Sequence, residues 1–469
     1  MTKIKFGTDG WRAIIAKDFT VDNVARVTLG SVEWLKQNFD NPSVVVGHDC
    51  RYAGELFAET TAKVFANAGI KVYLAKGPVS TPMVSLGTLN QKASLGIVIT
   101  ASHNPPTYNG YKLKGHFGGP LLPKEIQEVE DLIPESNSVD LDGLDIEELR
   151  AEGLVENIDL ETMYVDHVEA SFDMDAIRNS DMSFAYDAMY GSGQDVMRRL
   201  LPDIDFLHCE HNPGFNGTAP EPIHRNLVEF SEMIKMADGQ INCGLATDGD
   251  ADRIGLYDSE GNFVDSHHII LLLIKYLVEE KKYTGKVVNA FSVTPKVKKM
   301  CDHYGLDYEV TKIGFKYIAG IMLTDDVLLG GEESGGIATK GHIPERDGIW
   351  MGLIIWEYMV KSGRTLEDLI EDVYEIVGSF KFERIDMHLK EEEKLAIVAN
   401  CENGTYKSFG DLEVRRVENV DGFKYFFDND EWVMIRASGT EPVLRTYAES
   451  SSNEGAFKIL EKVHAEFKK

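Results

Sequence analysis

Three aspartates at alternate positions, Asp248, Asp250 and Asp252, give the clearest chemical indication in this sequence. Carboxylates this close repel one another, so each would have its pKa raised unless a cation neutralised the charge. On an extended backbone the spacing places all three on one side, and Mg²⁺ or Ca²⁺ prefers such oxygen ligands. An EF-hand would need Gly and Glu where the chain has Arg253 and Ser259, so the spacing predicts a different kind of cation site.

Apolar stretches at 241–247 and 254–257 enclose this acidic segment, which disfavours the alternative of a solvated acidic turn. Three protein carboxylates leave coordination positions open around the cation. Mg²⁺ commonly fills such positions with oxygens of a substrate phosphate. The pattern therefore predicts a site for a divalent cation, Mg²⁺ or Ca²⁺, and in the case of Mg²⁺ a phosphorylated ligand beside it.

Ser102 lies on a short loop that Pro105 and Pro106 stiffen, directly after an apolar strand. A serine held in place at a strand end is a candidate nucleophile or phosphate carrier, although an ordinary turn is the alternative. The adjacent His103 is not expected to act as its base, because neighbouring side chains point apart. Lys112, at the end of the same segment, is a candidate proton carrier if its pKa falls.

Two further loops offer positive charge to an anion. The loop at 436–440 combines an arginine, two hydroxyls and a glycine that lets a backbone amide approach closely, which is typical of phosphate binding. A tight turn between strands is the alternative. Near the start of the chain, two glycines precede Arg12, which indicates either a polar loop near a ligand or an N-terminal turn. The candidate phosphate ligands are Arg436, Ser438, Gly439, Thr440 and, a little further along, Arg445.

The composition is that of a globular protein with several cores. The chain has 469 residues, of which 43% are apolar and 27% charged, and its length predicts three or four domains. Its 48 basic and 77 acidic residues give a net charge of −29, which argues against nucleic acid or an anionic membrane as a partner. A small anionic substrate remains compatible, because a local basic pocket dominates within a Debye length of about 8–10 Å.

No signal peptide and no apolar run long enough for a membrane helix is evident in the sequence. Five scattered cysteines without a CxxC pair are expected to be free thiols in a reducing compartment, so we predict a cytoplasmic protein. These cysteines are Cys50, Cys209, Cys243, Cys301 and Cys401.

The elements that must position these loops repeat along the chain. Strand, helix and strand recur three times at lengths typical of βα units that feed a largely parallel sheet. Each unit then reaches a further strand that runs into one of the loops, and ligands of open α/β sheets lie beyond the carboxyl ends of strands. We expect three similar domains that each contribute one loop to a shared cleft; three independent sites are the alternative. The predicted units are 43–74, 184–207 and 286–310.

After about residue 375, short and largely antiparallel strands precede a last helix at 453–467, which predicts a smaller α+β domain. The acidic segment 134–161 reads as a linker with one short helix. The predicted fold class is therefore α/β, with three similar mixed-sheet domains and an α+β C-terminal domain around one central cleft. The predicted boundaries are 1–150, 151–255, 256–375 and 376–469.

Taken together and in order, the loops resemble those of the α-D-phosphohexomutase superfamily. The resemblance implies an isomerase that moves a phosphoryl group between C1 and C6 of a hexose phosphate. It also implies a phosphoserine enzyme with one Mg²⁺ ion, and a hexose 1,6-bisphosphate as intermediate and activator, in a monomer or homodimer. The matching motifs are FGTDGWR (6–12), TASHNPPTYNGYK (100–112), DGDADR (248–253), GEESGG (331–336) and RASGTEP (436–442).

The resemblance also implies a role for each matching residue. Ser102 would carry the phosphoryl group and, with the three aspartates, hold the metal. The sugar hydroxyls would be held by Glu332 and Ser334, with Lys316 in a loop that helps to select the sugar, and the non-reacting phosphate by the loop at 436–440. The groups around the reacting phosphate would be Arg12, His103, Lys112 as general acid and base, and Arg253.

The sugar is predicted to be glucose phosphate, with mannose phosphate as a second substrate. The stretch 342–349 looks like that of phosphoglucomutases, and Gly336 stands where other members have His. A phosphoglucosamine mutase is an alternative, disfavoured by Glu333 and Gly336. A metal-dependent sugar phosphatase and a non-catalytic sugar-phosphate sensor are the alternatives from other classes.

Overall fold

The structure is a computed structural model and describes residues 3–437 and 443–468. It confirms the predicted α/β fold class. Three units build mixed sheets flanked by helices, and a fourth builds an antiparallel sheet with helices.

The first domain is built around a sheet of strand order β1-β5-β4-β2-β3-β7, with β6 beside β5. Its apolar strands β2 and β4 are buried and parallel, as expected for central strands covered on both faces. The strands are β1 Trp11–Ile14, β2 Ser43–His48, β3 Lys71–Pro78, β4 Leu95–Ile99, β5 Tyr108–Gly115, β6 Gly119–Pro120 and β7 Val155–Ile158. The helices are α1 Val21–Asn38, α2 Gly54–Asn67, α3 Thr81–Asn90, α4 Pro123–Asp131 and α5 Ile146–Ala151.

The second domain has the sheet order β12-β11-β10-β8-β9. Strands β8 and β9 run parallel to β10, and β11 turns back antiparallel to it. The strands are β8 Phe184–Asp187, β9 Asp205–Leu207, β10 Cys243–Thr247, β11 Ile254–Tyr257 and β12 Phe263–Val264. The helices are α6 Leu160–Ser171, α7 Met174–Arg178, α8 Gln194–Leu200 and α9 Val228–Met236, with short 3-10 turns at Phe215–Gly217 and His224–Asn226.

The third domain has the sheet order β14-β13-β15-β16. Its helices α10 and α13 are largely buried, and their side chains belong to an apolar core that continues into the second domain. The strands are β13 Lys286–Ala290, β14 Tyr308–Thr311, β15 Val327–Gly331 and β16 Ile337–Thr339. The helices are α10 Ser266–Glu279, α11 Lys296–Tyr304, α12 Phe315–Met322, α13 Gly348–Ser362 and α14 Leu366–Val377.

The fourth domain packs α16 against an antiparallel sheet of order β17-β23-β22-β21-β20. The sequence did not predict helix α15, whose first turn carries three glutamates that favour the positive end of a helix dipole. The strands are β17 Lys381–His388, β18 Ser408–Phe409, β19 Leu412–Glu413, β20 Arg416–Glu418, β21 Phe423–Phe426, β22 Trp432–Ala437 and β23 Val443–Ser450. The helices are α15 Glu391–Glu402 and α16 Asn453–Glu466.

One connection recurs in the first three domains. The loops after β4, β10 and β15 each join a strand of the parallel set to an antiparallel neighbour, β5, β11 and β16. The chain therefore reverses sharply just beyond the carboxyl end of a buried strand. These reversals carry Ser102, the three aspartates and Glu332.

Two predicted boundaries cut through sheets. The acidic segment predicted as a linker contains β7, which pairs with β3, so the first sheet extends beyond residue 150. The second sheet extends beyond residue 255, because β12 pairs with β11. Strand β7 has four residues and β12 has two, and each lies at the edge of its sheet, so neither is long enough to show an apolar pattern in the sequence. No helix in the described ranges is both long and apolar enough to cross a membrane.

Candidate active site

The three aspartates converge because the chain turns, not because it is extended. Ala251 has a φ of +55° within this turn, and the amides of Asp252 and Arg253 donate to Asp248 Oδ1 at 2.9 and 3.1 Å. The prediction of a shared side on extended backbone was therefore wrong. One carboxylate oxygen of each aspartate lies within 4.8 Å of the others, and all three side chains are buried.

The charges around the triad differ from one aspartate to the next. Burial and the two neighbouring carboxylates raise the pKa of Asp248 well above its usual value. Burial also acts to raise the pKa of Asp250, but the Lys112 ammonium, 2.7 Å away, together with Thr81 and Arg346 outweighs burial and lowers that pKa. Asp250 Oδ1 and Asp252 Oδ1 are buried oxygens without a hydrogen-bond partner. Such unpartnered acceptors fit a hard cation, so the triad could hold a metal ion.

Ser102 lies against this triad. Its hydroxyl is buried and donates to Asp248 Oδ2 at 2.7 Å. Its φ of +52° folds the loop so sharply that Ser102 Oγ lies 3.3 Å from His103 Nδ1, and the expectation that the two side chains point apart was wrong. Burial and the surrounding cations, Arg253 first, lower the pKa of His103 well below its usual value, so its ring is neutral near pH 7.

A buried arginine that the sequence analysis missed holds the Ser102 loop. The Arg51 guanidinium donates to the carbonyl oxygens of Ser102 at 2.5 Å and of Asn104 at 2.7 Å. It also donates to the carbonyls of Pro105 at 3.0 Å and Tyr108 at 3.1 Å. Four bonds from one planar group fix the path of the loop, and therefore the place of the Ser102 hydroxyl.

Asp49 supports the arginine from behind. Its carboxylate lies 3.3 Å from Arg51 Nε and accepts from Thr100 Oγ1 at 2.5 Å. Burial raises the pKa of Asp49 to about 6, although Arg51 opposes the shift. The position of Arg51 just after β2, beside the strand that leads to Ser102, is the indication that could have identified it.

We expect Arg51→Lys to lower kcat about ten- to a hundredfold, because a small misplacement of a reacting group is costly. An ammonium cannot make four bonds in the directions of a planar guanidinium. The measurement is steady-state kinetics, with thermal unfolding to verify the fold. Arg199→Lys, at an exposed ion pair with Glu161, is the control and should be neutral. Full activity in Arg51→Lys would contradict this role.

Lys112 lies among carboxylates. Its Nζ is 2.7 Å from Asp250, 3.0 Å from Asp252 and 2.9 Å from Asp9. Burial acts to lower the pKa of Lys112, but these three carboxylates outweigh it and raise the pKa. A proton carrier was expected to have a lowered pKa, whereas these carboxylates hold the pKa of Lys112 above its usual value.

Asp9 and Arg346 extend this cluster and were also missed. Arg346 Nη2 lies 2.7 Å from Asp252 Oδ2 and pairs with Asp9 as well. Arg12 of β1, which directly follows the loop that carries Asp9, donates to Asn104 Oδ1 at 2.6 Å. The N-terminal loop, the Ser102 loop and the aspartate loop thus meet around one group of charges.

The loop that follows β15 joins the same cluster through its backbone. The amide of Ile254 donates to the Gly335 carbonyl at 3.1 Å, beside the aspartate loop. Glu332 is buried, accepts from the Gly314 amide at 2.9 Å, and has its pKa raised by burial. Ser334 lines a cavity of about 870 Å³ that reaches into the fourth domain.

A side chain at position 336 would collide with the cluster. An added Cβ would lie 2.5 Å from Arg346 Cδ, and ion pairs with Asp9, Asp252 and Glu345 hold that side chain in place. Lys316 lies further out, half-buried, with Nζ 5.7 Å from the centre of the Tyr317 ring. Burial lowers the pKa of Lys316.

The fourth domain presents two arginines on adjacent strands. Arg436 of β22 is opposite Arg445 of β23 in the register. Arg436 Nε lies 3.2 Å from Asp421 Oδ1, and Arg445 Nε lies 3.8 Å from Asp386 Oδ2. The candidates Ser438, Gly439 and Thr440 lie outside the described residues.

Three α/β domains that bring a serine, a carboxylate triad and clustered cations to one junction, with a fourth α+β domain beside them, define an enzyme of the phosphoryl-transfer class. Domain families described as phosphoglucomutase/phosphomannomutase, alpha/beta/alpha domains I, II and III, match residues 3–140, 162–261 and 265–377. The C-terminal domain of the same family matches residues 392–466. The chain belongs to the phosphoglucomutase/phosphomannomutase family and is an isomerase of this type, which confirms the resemblance.

Individual relatives match along nearly their whole length. A phosphoglucomutase/phosphomannomutase of Thermococcus kodakarensis is 29% identical over 97% of this chain and 96% of its own. A phosphoglucosamine mutase of Carboxydothermus hydrogenoformans is 26% identical over 99% of both chains. The crystal structure of a candidate phosphomannomutase from Thermus thermophilus is 31% identical, covers 100% of both chains and has a TM-score of 0.87.

Proposed function

We propose that this enzyme interconverts glucose 1-phosphate and glucose 6-phosphate, and that it also accepts mannose phosphates. The observation that carries the proposal is the Ser102 hydroxyl, held 2.7 Å from a carboxylate of the buried triad. A phosphoryl group on this serine would meet a metal on one side and the cations of the cluster on the other. The relatives named phosphoglucomutase support the same reaction.

We assign the three aspartates and the phosphoserine to one Mg²⁺ ion. The ion would neutralise charge on the phosphoryl group and polarise it for transfer. A phosphoserine carries about −1.5 to −2 charges, so it also needs protein cations around it. Arg12, Lys112 and Arg253 are the residues proposed to supply them.

The reaction takes two transfers. In the first, a sugar hydroxyl attacks the phosphoryl group, the bond to Ser102 Oγ breaks, and a hexose 1,6-bisphosphate forms. The bisphosphate then turns end for end, and Ser102 Oγ takes back the other phosphoryl group. Each transfer removes a proton from the attacking hydroxyl and returns one to the leaving oxygen. Asp250 and Asp252 are among the carboxylates that raise the pKa of Lys112, and a cation bound to them would weaken that effect. On this basis we assign the exchange to Lys112, with His103 as a neutral neighbour of the serine.

The sugar would be held by Glu332 and Ser334, with Lys316 at the edge of the site. Glucose phosphate is preferred over glucosamine phosphate because Gly336 and Glu333 depart from the pattern expected of amino-sugar mutases. Arg346 fills the space beside position 336, so the site as it is packed leaves room only for a glycine there.

We further propose a cytoplasmic location, since the described cysteines are buried and free. The oligomeric state, a monomer or a homodimer, stays a prediction.

The deciding experiment supplies glucose 1-phosphate, mannose 1-phosphate and glucosamine 1-phosphate with Mg²⁺ and a trace of the matching bisphosphate. We expect glucose 6-phosphate to form with the highest kcat/KM. Free glucose instead of glucose 6-phosphate would indicate a phosphatase. A higher kcat/KM for glucosamine phosphate would replace our proposal with the amino-sugar alternative.

We expect Arg436→Ala to raise KM for glucose 1-phosphate about tenfold or more, because a charge-assisted bond to the non-reacting phosphate is lost. The change in kcat should be smaller. Steady-state kinetics at saturating Mg²⁺ measures both quantities. Arg415→Ala, which removes an exposed arginine paired with Asp428 in the same domain, is the control. An unchanged KM in Arg436→Ala would contradict the proposal that the loop at 436–440 binds the non-reacting phosphate.

A further inference from the structure

Asp421 connects the loop at 312–316, which the proposed function assigns to the sugar, with Arg436, which it assigns to the substrate phosphate. Its Oδ2 accepts a hydrogen bond from the Ile313 amide at 3.0 Å. Its Oδ1 lies 3.2 Å from Arg436 Nε, and its Oδ2 lies 3.4 Å from Arg436 Nη2. We propose that Asp421 is a positioning residue, which orients Arg436 for the substrate phosphate and ties it to the sugar-selecting loop at 312–316.

The local backbone explains why the carboxylate reaches Arg436. Gly422 has a φ of +95°, a conformation that other residues rarely adopt. A Cβ on Gly422 would lie 2.7 Å from the Ile435 carbonyl oxygen and 3.1 Å from Arg436 Cβ. The chain therefore passes directly over Arg436 at this point, and Asp421 leaves the turn beside the guanidinium.

The ion pair between Asp421 and Arg436 leaves part of the guanidinium available for a phosphate. The carboxylate contacts the edge formed by Nε and Nη2. The side that carries Nη1 is not held by this carboxylate. Arginine binds phosphate through such parallel N–H groups. Asp421 and a phosphate can therefore occupy different edges of the same guanidinium.

The other contact of Asp421 leads towards the sugar. The Ile313 amide donates to Asp421, and the next amide, of Gly314, donates to Glu332 Oε1 at 2.9 Å. Two consecutive amides are thus held by carboxylates from different domains. The segment 313–314 is therefore bonded to Glu332, which we assign to the sugar hydroxyls, and to Asp421, which pairs with the phosphate-binding Arg436.

This inference rests on the proposed function, so wild-type isomerisation of glucose 1-phosphate is measured first. The test variant is Asp421→Asn, which keeps an acceptor for Ile313 but loses the charge that faces Arg436. We expect KM to rise about fivefold or more with kcat changed less than about twofold, since preorganisation of a binding group is lost. Asp428→Asn, at the exposed pair with Arg415, is the matched control and should leave KM unchanged.

Repeating the substitution in an Arg436→Ala background tests whether Asp421 acts through Arg436. In that background Asp421→Asn should leave KM as it is, because the charge it loses no longer has a partner. Thermal unfolding of each variant verifies that the fourth domain is folded. A KM that falls or stays constant in Asp421→Asn, or one that rises equally in both backgrounds, would overturn the inference. Absence of wild-type isomerisation would overturn the proposed function itself, and this inference with it.

Discussion

Ser102→Ala should lower kcat by at least about three orders of magnitude, because the group that carries the phosphoryl between the two transfers is gone. The fold should persist, since the hydroxyl contacts only Asp248 and His103 among the described side chains. The melting temperature should therefore shift by only a few degrees. Steady-state kinetics, thermal unfolding and mass spectrometry of the intact protein measure these effects.

Mass spectrometry shows whether Ser102 itself carries the phosphoryl group or only contacts the substrate. Wild-type protein incubated with glucose 1,6-bisphosphate should gain one phosphoryl group, and the Ser102→Ala variant should gain none. Ser171→Ala removes a hydroxyl that only bonds the His167 carbonyl at the end of α6, and it should behave as wild type. Full activity, or phosphorylation of the Ser102→Ala variant, would exclude Ser102 as the carrier.

Asp250→Ala should remove activity by about two to three orders of magnitude and remove its dependence on Mg²⁺, because metal ions contribute several kcal/mol to transition-state stabilisation. Asp250 also accepts from Thr81 Oγ1 at 2.5 Å and from Lys112, so its loss disturbs both neighbours. Titration calorimetry with Mg²⁺ alone measures the binding directly, independently of turnover.

Asp238→Ala, at an exposed turn before β10, is the control for this substitution and should retain Mg²⁺ binding. Restoring activity of Asp250→Ala with higher Mg²⁺ would indicate a weakened site. An active variant that ignores Mg²⁺ would exclude the triad from the reaction.

The architecture was predictable because its pattern is local. Apolar strands such as β4, β10 and β15 end directly at loops rich in glycine and polar residues, and the carboxyl ends of parallel strands form one edge of a sheet. The order of those loops along the chain was enough to suggest a common cleft. The helix α15 and the edge strand β7 lacked comparable apolar periodicity and could not be found in this way.

The partners of the reacting groups were not predictable, because they depend on distant pairs. Arg51 holds the Ser102 loop only because β2 and β4 are neighbours in the sheet, which no local pattern reveals. Asp9 and Arg346 meet over a still greater separation in the chain. Asp9 and Arg346 each lie in a stretch that the sequence singles out, but nothing in either stretch shows that the two side chains pair. Likewise, the positive φ of Ala251 follows from the turn as folded and not from its residue type.

The close approach of Arg346 to Gly336 restricts how this protein can change over evolutionary time. A larger residue at position 336 would crowd the aliphatic part of Arg346, whose guanidinium is paired with Asp9 and Asp252. The set of side chains that position 336 tolerates therefore depends on the residue at position 346, and substitutions at the two positions are expected to be coupled.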